Sequence, residues 1–215
     1  MHAWSNWRRP NLIKLLSISG SPVEGSSTDI LLKEIEKGFL EKAGSREETQ
    51  ISFYKLNELN FIACQACGKA PTPEYCFYDD DLTRVYAELA VCDCLLVGSP
   101  IYFDTVSGQL KSFMDRCNCV RPADFDNTDP QHDFLKLIAG KRPGAMVLVG
   151  GERGYFEGAR RTIAGFFKWI EVTNQGMVIH KSDDFHKKGA VVDDSTALKE
   201  ARELGAKLAV QVLAR

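Results

Sequence analysis

The sequence predicts an α/β fold of the doubly wound kind, a five-stranded parallel sheet in the order 2-1-3-4-5 with helices on both faces. Three observations carry this expectation. Apolar runs and amphipathic stretches alternate about five times along the 215 residues. No repeat of 20–50 residues intervenes, which excludes solenoid and propeller architectures. The first, third and fourth apolar runs each break at their carboxyl ends into loops of small or turn-forming residues, where ligands of such sheets bind.

The elements follow in order. Leu12, Ile13, Leu15, Leu16 and Ile18 form the near-continuous apolar run of a strand buried on both faces. A serine- and glycine-rich loop follows at residues 19–28. Ile30, Leu31, Ile35, Phe39 and Leu40 then share one helical face, with the helix ending near Gly44. A second strand is expected at residues 51–56. After a long irregular stretch, Leu82, Val85, Tyr86 and Leu89 recur at helical spacing behind three aspartates, Asp79 to Asp81, which read as a cap and an acidic first turn. Residues 92–100 are the central strand, residues 101–106 the loop beyond its carboxyl end, and residues 107–118 the next helix. Residues 119–137 lack a period, hold Pro122 and Pro130, and form an expected insertion. A fourth strand at 145–149 breaks at Gly150 and Gly151, a helix spans 160–170, a weaker strand 173–180, and a closing helix 195–213.

The loop at residues 19–28 is suited to an anion. Gly20 and Gly25 permit tight turning, and Ser19, Ser21, Ser26, Ser27 and Thr28 place hydroxyls beside the N–H groups of a helix start. Gly20 and Gly25 have P-loop spacing, but Ser26 stands where the phosphate-binding lysine belongs, which argues against a triphosphate. Ser21 and Pro22 after Gly20 likewise break the dinucleotide fingerprint. Glu24 lies inside the loop and no Lys or Arg does, so hydroxyls and backbone N–H groups must carry the anion. A single terminal phosphate, as on FMN, fits that chemistry; a loop that merely caps a helix is the alternative.

Composition bounds the setting. The chain is expected to be one domain over residues 12–215 behind an N-terminal extension of residues 1–11. A formal charge of −2 and 44% hydrophobic residues describe a globular core without a nucleic-acid footprint. No apolar run is long enough to span a bilayer, and the first ten residues lack the apolar core of a secretory signal, so a cytoplasmic protein with no membrane or nucleic-acid partner is expected. Seven cysteines, an odd number, fit reduced thiols better than a disulfide framework. Trp4 and Trp7 are candidates for packing on a partner subunit, and His132, His180 and His186 lack metal-ligand spacing.

Three motifs in order carry a family likeness: Ser19-Gly-Ser-Pro22 with Ser26-Ser-Thr28, Gly98-Ser-Pro-Ile-Tyr-Phe103, and Gly108-Gln-Leu-Lys-Ser-Phe-Met-Asp-Arg116. Together, over most of residues 12–176, they resemble the NAD(P)H-dependent FMN reductase and iron–sulfur flavoprotein group of the flavodoxin-like fold. The resemblance implies an FMN oxidoreductase that takes electrons from NADPH or NADH and passes them to a quinone, a flavin or another small acceptor. It also implies a homodimer or homotetramer whose neighbours complete the flavin pocket. Carried over, Ser19, Ser21, Ser26, Ser27 and Thr28 would hold the FMN phosphate. Pro100, Ile101, Tyr102 and Phe103 would line the isoalloxazine, and Gly150, Gly151 and Arg153 would close its other edge. No catalytic side chain is required, because the chemistry belongs to the flavin. Packing aromatics are the alternative for Tyr102 and Phe103, and a surface charge is the alternative for Arg153; Arg116, on a helix, is expected to make a structural ion pair rather than a flavin contact.

The cluster-bearing branch of that group has the pattern C-x2-C-x2-C-x4–7-C before an acidic pair. Here the cysteine-containing loop, residues 57–80, keeps Cys64, Cys67 and Cys76 ahead of Asp80 and Asp81, but Ala70 occupies the third ligand position. The expectation is therefore three metal-free thiols, with no metal site. An iron–sulfur flavoprotein relaying electrons to a protein partner, and a non-enzymatic flavodoxin-like carrier, are the alternatives.

Overall fold

The architecture comes from a computed structural model that describes residues 12–44, 49–68, 76–122, 136–138, 140–151, 154–182, 184 and 187–215. The expectations placed on residues 1–11, Trp4, Trp7, Ala70, His132, Arg153 and His186 lie outside the described residues. Strands β1 (Ile13–Ser19), β2 (Thr49–Lys55), β3 (Cys94–Tyr102), β7 (Arg142–Gly151) and β8 (Val172–Ser182) form a parallel sheet in the order β2-β1-β3-β7-β8. This is the expected 2-1-3-4-5 order. A sixth strand, β4 (Thr105–Val106), lies within the expected loop 101–106; it folds back antiparallel on the end of β3, pairing Val106 with Ile101. The insertion contributes β5 (Arg121–Pro122) and β6 (Lys136–Ile138), paired parallel in a separate ribbon.

Alternation within each strand explains why the apolar runs are unbroken. Leu16 and Ile18 of β1, Leu95 and Val97 of β3, and Met146 and Leu148 of β7 face one core. It is completed by α2 (Leu82–Val91), α3 (Gly108–Arg116) and α4 (Glu157–Trp169). Leu15, Leu96, Ala145 and Val147 point the other way, into a core closed by α1 (Ser27–Ala43) and α5 (Ser195–Leu213). A strand with helices on both faces has no solvent side on which to place a polar residue. The β8 strand reads as weak only because Thr173, Asn174 and Gln175 sit at its start; it runs eleven residues.

Arg116 and Asp80 make the expected ion pair, at 2.8 Å, with the Arg116 side chain only 1% exposed. Arg116 also donates to Ile62 O at 2.8 Å and Tyr78 O at 3.3 Å, so one guanidinium from α3 fastens both ends of the described cysteine loop. The expected acidic first turn is not formed: no acid lies in the first turn of α2, and the N-cap residue Asp81 makes no side-chain capping bond to the helix. Asp80 Oδ1 still accepts the Leu82 N–H at 3.1 Å, while Asp81 accepts the Asn60 N–H at 2.7 Å. Asp80→Asn would leave the Arg116 charge buried without a counter-ion, and is expected to cost about 3 kcal/mol of stability. A urea midpoint equal to that of the unaltered protein would refute the clamp; faster limited proteolysis at residues 57–68 would support it.

Candidate functional site

The sheet register brings three loops to one level. Ser19, the last residue of β1, pairs with Gly98 of β3, and Gly98 pairs with Val147 of β7. The loops that leave these strands therefore emerge side by side at the carboxyl edge. Two hydrogen bonds lock the first pair together: Gly20 N–H donates to Gly98 O at 2.8 Å, and Ser107 Oγ donates to Gly20 O at 2.6 Å. Ser107 also caps α3 through the Leu110 N–H, and its own N–H is taken by Ser99 Oγ at 2.9 Å. Ser99 belongs to the second motif, but Ser107 did not stand out in the sequence, since a single serine beside a turn has no distinctive spacing.

The five hydroxyl residues of the first loop converge, but most of their oxygens serve the loop itself. Ser19 Oγ donates to Asp29 Oδ1 at 2.5 Å and accepts the Ser21 N–H at 3.3 Å. Ser21 Oγ accepts the Val23 N–H at 3.3 Å, and Ser26 is the N-cap of α1, accepting from Asp29 N–H at 3.2 Å. Ser27 Oγ faces away, accepting the Val191 N–H at 3.2 Å, and Thr28 is buried with its methyl over Gly98. The N–H groups of Ser27 and Thr28, at the positive end of the helix dipole, make no hydrogen bond among the described residues. The arrangement is a cradle of backbone donors supported by hydroxyls. Gly25 turns it in the left-handed region at φ 63°, whereas Gly20 is required for close approach: a Cβ there would lie 2.7 Å from Leu110 Cβ.

Below the cradle sits a charge pair with no signal in the sequence. Lys55, the last residue of β2, places Nζ 2.5 Å from Asp29 Oδ2 and 2.8 Å from Val23 O. Both side chains are buried, at 7% and 6% exposure, so the lysine neutralises the aspartate rather than presenting charge to a ligand.

The second loop forms the wall. Pro100 and Ile101 are half-buried, Tyr102 is exposed, and Phe103 is fully exposed at the tip of the β3–β4 turn. Phe103 and Asp104 both adopt left-handed backbone, at φ 51° and 61°, an unfavourable conformation for side-chain-bearing residues that concentrates at functional sites. Asp104 Oδ1 anchors the turn by accepting the Gly158 N–H of α4 at 3.4 Å. On the third side, Pro100 pairs with Val149, and Gly150 and Gly151 end β7 half-buried, paired with Lys181 and Ser182. Every described residue assigned to the site thus lies at this edge, with the Ser27 hydroxyl turned out of it.

The cysteines scatter. Cys64 is exposed, Cys67 half-buried, and Cys76 buried in the core with Leu82, Tyr86 and Cys117. Burial pushes the thiols of Cys92, Cys94 and Cys117 up, so they stay protonated. Among the described residues no three His, Cys, Asp or Glu side chains are placed to share a metal, and no helix is long and apolar enough to cross a membrane.

Comparisons with known proteins agree with this geometry. An iron–sulfur flavoprotein of Methanocaldococcus jannaschii is 32% identical over 158 residues, 72% of this chain and 71% of its own. An NAD(P)H-dependent FAD/FMN reductase of Geobacillus thermodenitrificans is 27% identical over 204 residues, 94% of this chain and 92% of its own. The crystal structure of an azoreductase from Bacillus anthracis shares the fold at a TM-score of 0.61 and 15% identity, covering 91% of this chain and all of the other. A sequence model described as NADPH-dependent FMN reductase matches residues 13–183, across the whole sheet and all three loops. The chain therefore belongs to the NADPH-dependent FMN reductase family.

Proposed function

We propose that the chain holds FMN across the carboxyl edge of β1, β3 and β7 and works as an NAD(P)H-dependent oxidoreductase on a small acceptor, a quinone or a free flavin. The register that sets Ser19, Gly98 and Val147 in one row carries the reading, because it makes three separate loops into one continuous site. The α1 cradle fits a terminal phosphate. The N–H groups of Ser27 and Thr28, unpaired among the described residues, supply donors, and Ser21 and Ser26 hold the loop around them. Pro100 to Phe103 offer a flat apolar wall for a tricyclic ring, and the ends of Gly150 and Gly151 leave room at its other edge. Arg153 is assigned to that edge from the family motif. When bound, FMN supplies two-electron hydride chemistry between a nicotinamide and the acceptor. The chain's own task is to hold the ring and leave one face accessible, which requires no side-chain acid or base. The fully exposed Phe103 supports a homodimer or homotetramer in which a neighbour covers the ring, and a cytoplasmic setting suits the thiols.

The names of the iron–sulfur flavoprotein relatives favour a second reading, a cluster in the cysteine loop. The residues do not fit it. Four thiolates are needed, alanine stands at the third position, and Cys76 is committed to the core.

The isolated protein, mixed anaerobically with FMN, is expected to turn yellow and to bleach within seconds of NADPH addition; a colourless protein that does not take up FMN defeats the proposal. Iron assayed after anaerobic purification should be far below one atom per chain, and about four per chain would restore the cluster reading. Lys55→Met should destabilise the fold by about 3 kcal/mol in urea, with Asp29→Asn in the same chain recovering much of the loss. Additive losses would mean the two side chains are not coupled.

A further inference from the structure

The phosphate cradle carries an acid, Glu24, and no base of its own, and the one lysine beneath it is consumed by Asp29. A phosphate monoester is held in such a site by N–H dipoles alone unless another element brings a cation. The segment after β8 does so. Lys188 lies against the loop, with Cε 3.5 Å from the point a Cβ on Gly25 would occupy.

That position is built rather than incidental. Gly189 is in the left-handed region at φ 66°, and a Cβ on it would lie 3.0 Å from Gly25 O and 2.9 Å from Ile30 Cδ1, so only glycine lets the two backbones meet. Two residues further on, the Val191 N–H donates to Ser27 Oγ at 3.2 Å in a buried contact 164 residues apart in sequence. The far end is fixed by Asp194, which caps α5 through the Ala197 N–H at 2.9 Å and meets His180 Nδ1 at 2.8 Å. The neighbouring Lys187 is paired with Asp193. Lys188 is exposed and makes no hydrogen bond or ion pair among the described residues. The segment that follows Lys188 is therefore pinned to the cradle, next to a cation that has no acidic partner among the described residues.

We infer that Lys188 supplies the positive charge that the serine-rich loop lacks, pairing with the terminal phosphate of the flavin nucleotide. The assignment rests on the FMN reading given above and adds to it a residue outside the loop motif, on the opposite side of the domain's sequence. It also explains the direction of Ser27, whose hydroxyl holds the lysine-bearing segment instead of the phosphate.

Riboflavin, which lacks the phosphate, separates this role from a structural one. Dissociation constants for FMN and riboflavin would be measured by flavin fluorescence with the unaltered protein, Lys188→Ala, Lys188→Glu, Lys188→Arg, and Lys199→Ala as a remote control on α5. Lys188→Ala should weaken FMN about tenfold, Lys188→Glu about a hundredfold, and Lys188→Arg and Lys199→Ala less than threefold, all with riboflavin unchanged. The salt dependence of FMN binding should also flatten in Lys188→Ala. Equal losses for both flavins would make Lys188 a structural residue and overturn the inference, as would an Ala variant that binds FMN like the unaltered protein. Failure of the unaltered protein to bind FMN would instead overturn the reading of the whole site, and the assignment with it.

Discussion

A single buried contact, the carboxylate of Asp29 held between Ser19 and Lys55, ties together the three elements that surround the serine-rich loop. Ser19 ends β1, Asp29 lies in the first turn of α1, and Lys55 ends β2. An acid in that first turn is favoured by the helix dipole, yet beside a phosphate it would repel the ligand. Neutralising it from beneath removes the conflict: the helix keeps its acidic start and the cradle above sees no net charge from the pair. The same lysine holds Val23 O, so the loop's outer limb hangs from the pair as well.

Most of the fold was legible because its signal is local. Strands buried on both faces must be apolar throughout, and Leu15 and Leu16 show why, each feeding a different core. Small loops after β1, β3 and β7 were equally visible, and strand order then followed from topology. What was not legible depends on contacts between distant segments. Lys55 ends a strand like any surface lysine, and nothing near it in sequence announces Asp29. Ser27 looked identical to Ser26, but one caps α1 while the other reaches Val191. The β4 strand was hidden because two residues carry no period, and its presence is set by the turn at Phe103 and Asp104. For Asp80, the cap reading was half the answer: a cap is local, and the pairing with Arg116 is not.

Two buried ion pairs among the described residues have different tasks. One faces the carboxyl edge of the sheet and keeps the cradle electrically quiet. The other, Arg116 with Asp80, lies on the α2–α3 side and secures a loop whose cysteines differ in burial, Cys64 exposed, Cys67 half-buried and Cys76 buried. Relatives named iron–sulfur flavoproteins set these side by side: the three loops share one edge of the sheet, while alanine stands at the third thiol position of the cysteine loop.

The way Arg116 grips that loop has a consequence for how the family can diversify. Besides Asp80, its partners are the main-chain oxygens of Ile62 and Tyr78, not side chains between them. Main-chain oxygens survive any substitution. A gain or loss of thiols between the two anchor points therefore leaves the Arg116 bonds to Ile62 O and Tyr78 O in place. Such a loop behaves as an interchangeable cassette on a fixed flavin-binding chassis, open to redesign of its donor set while the domain beneath it stays the same.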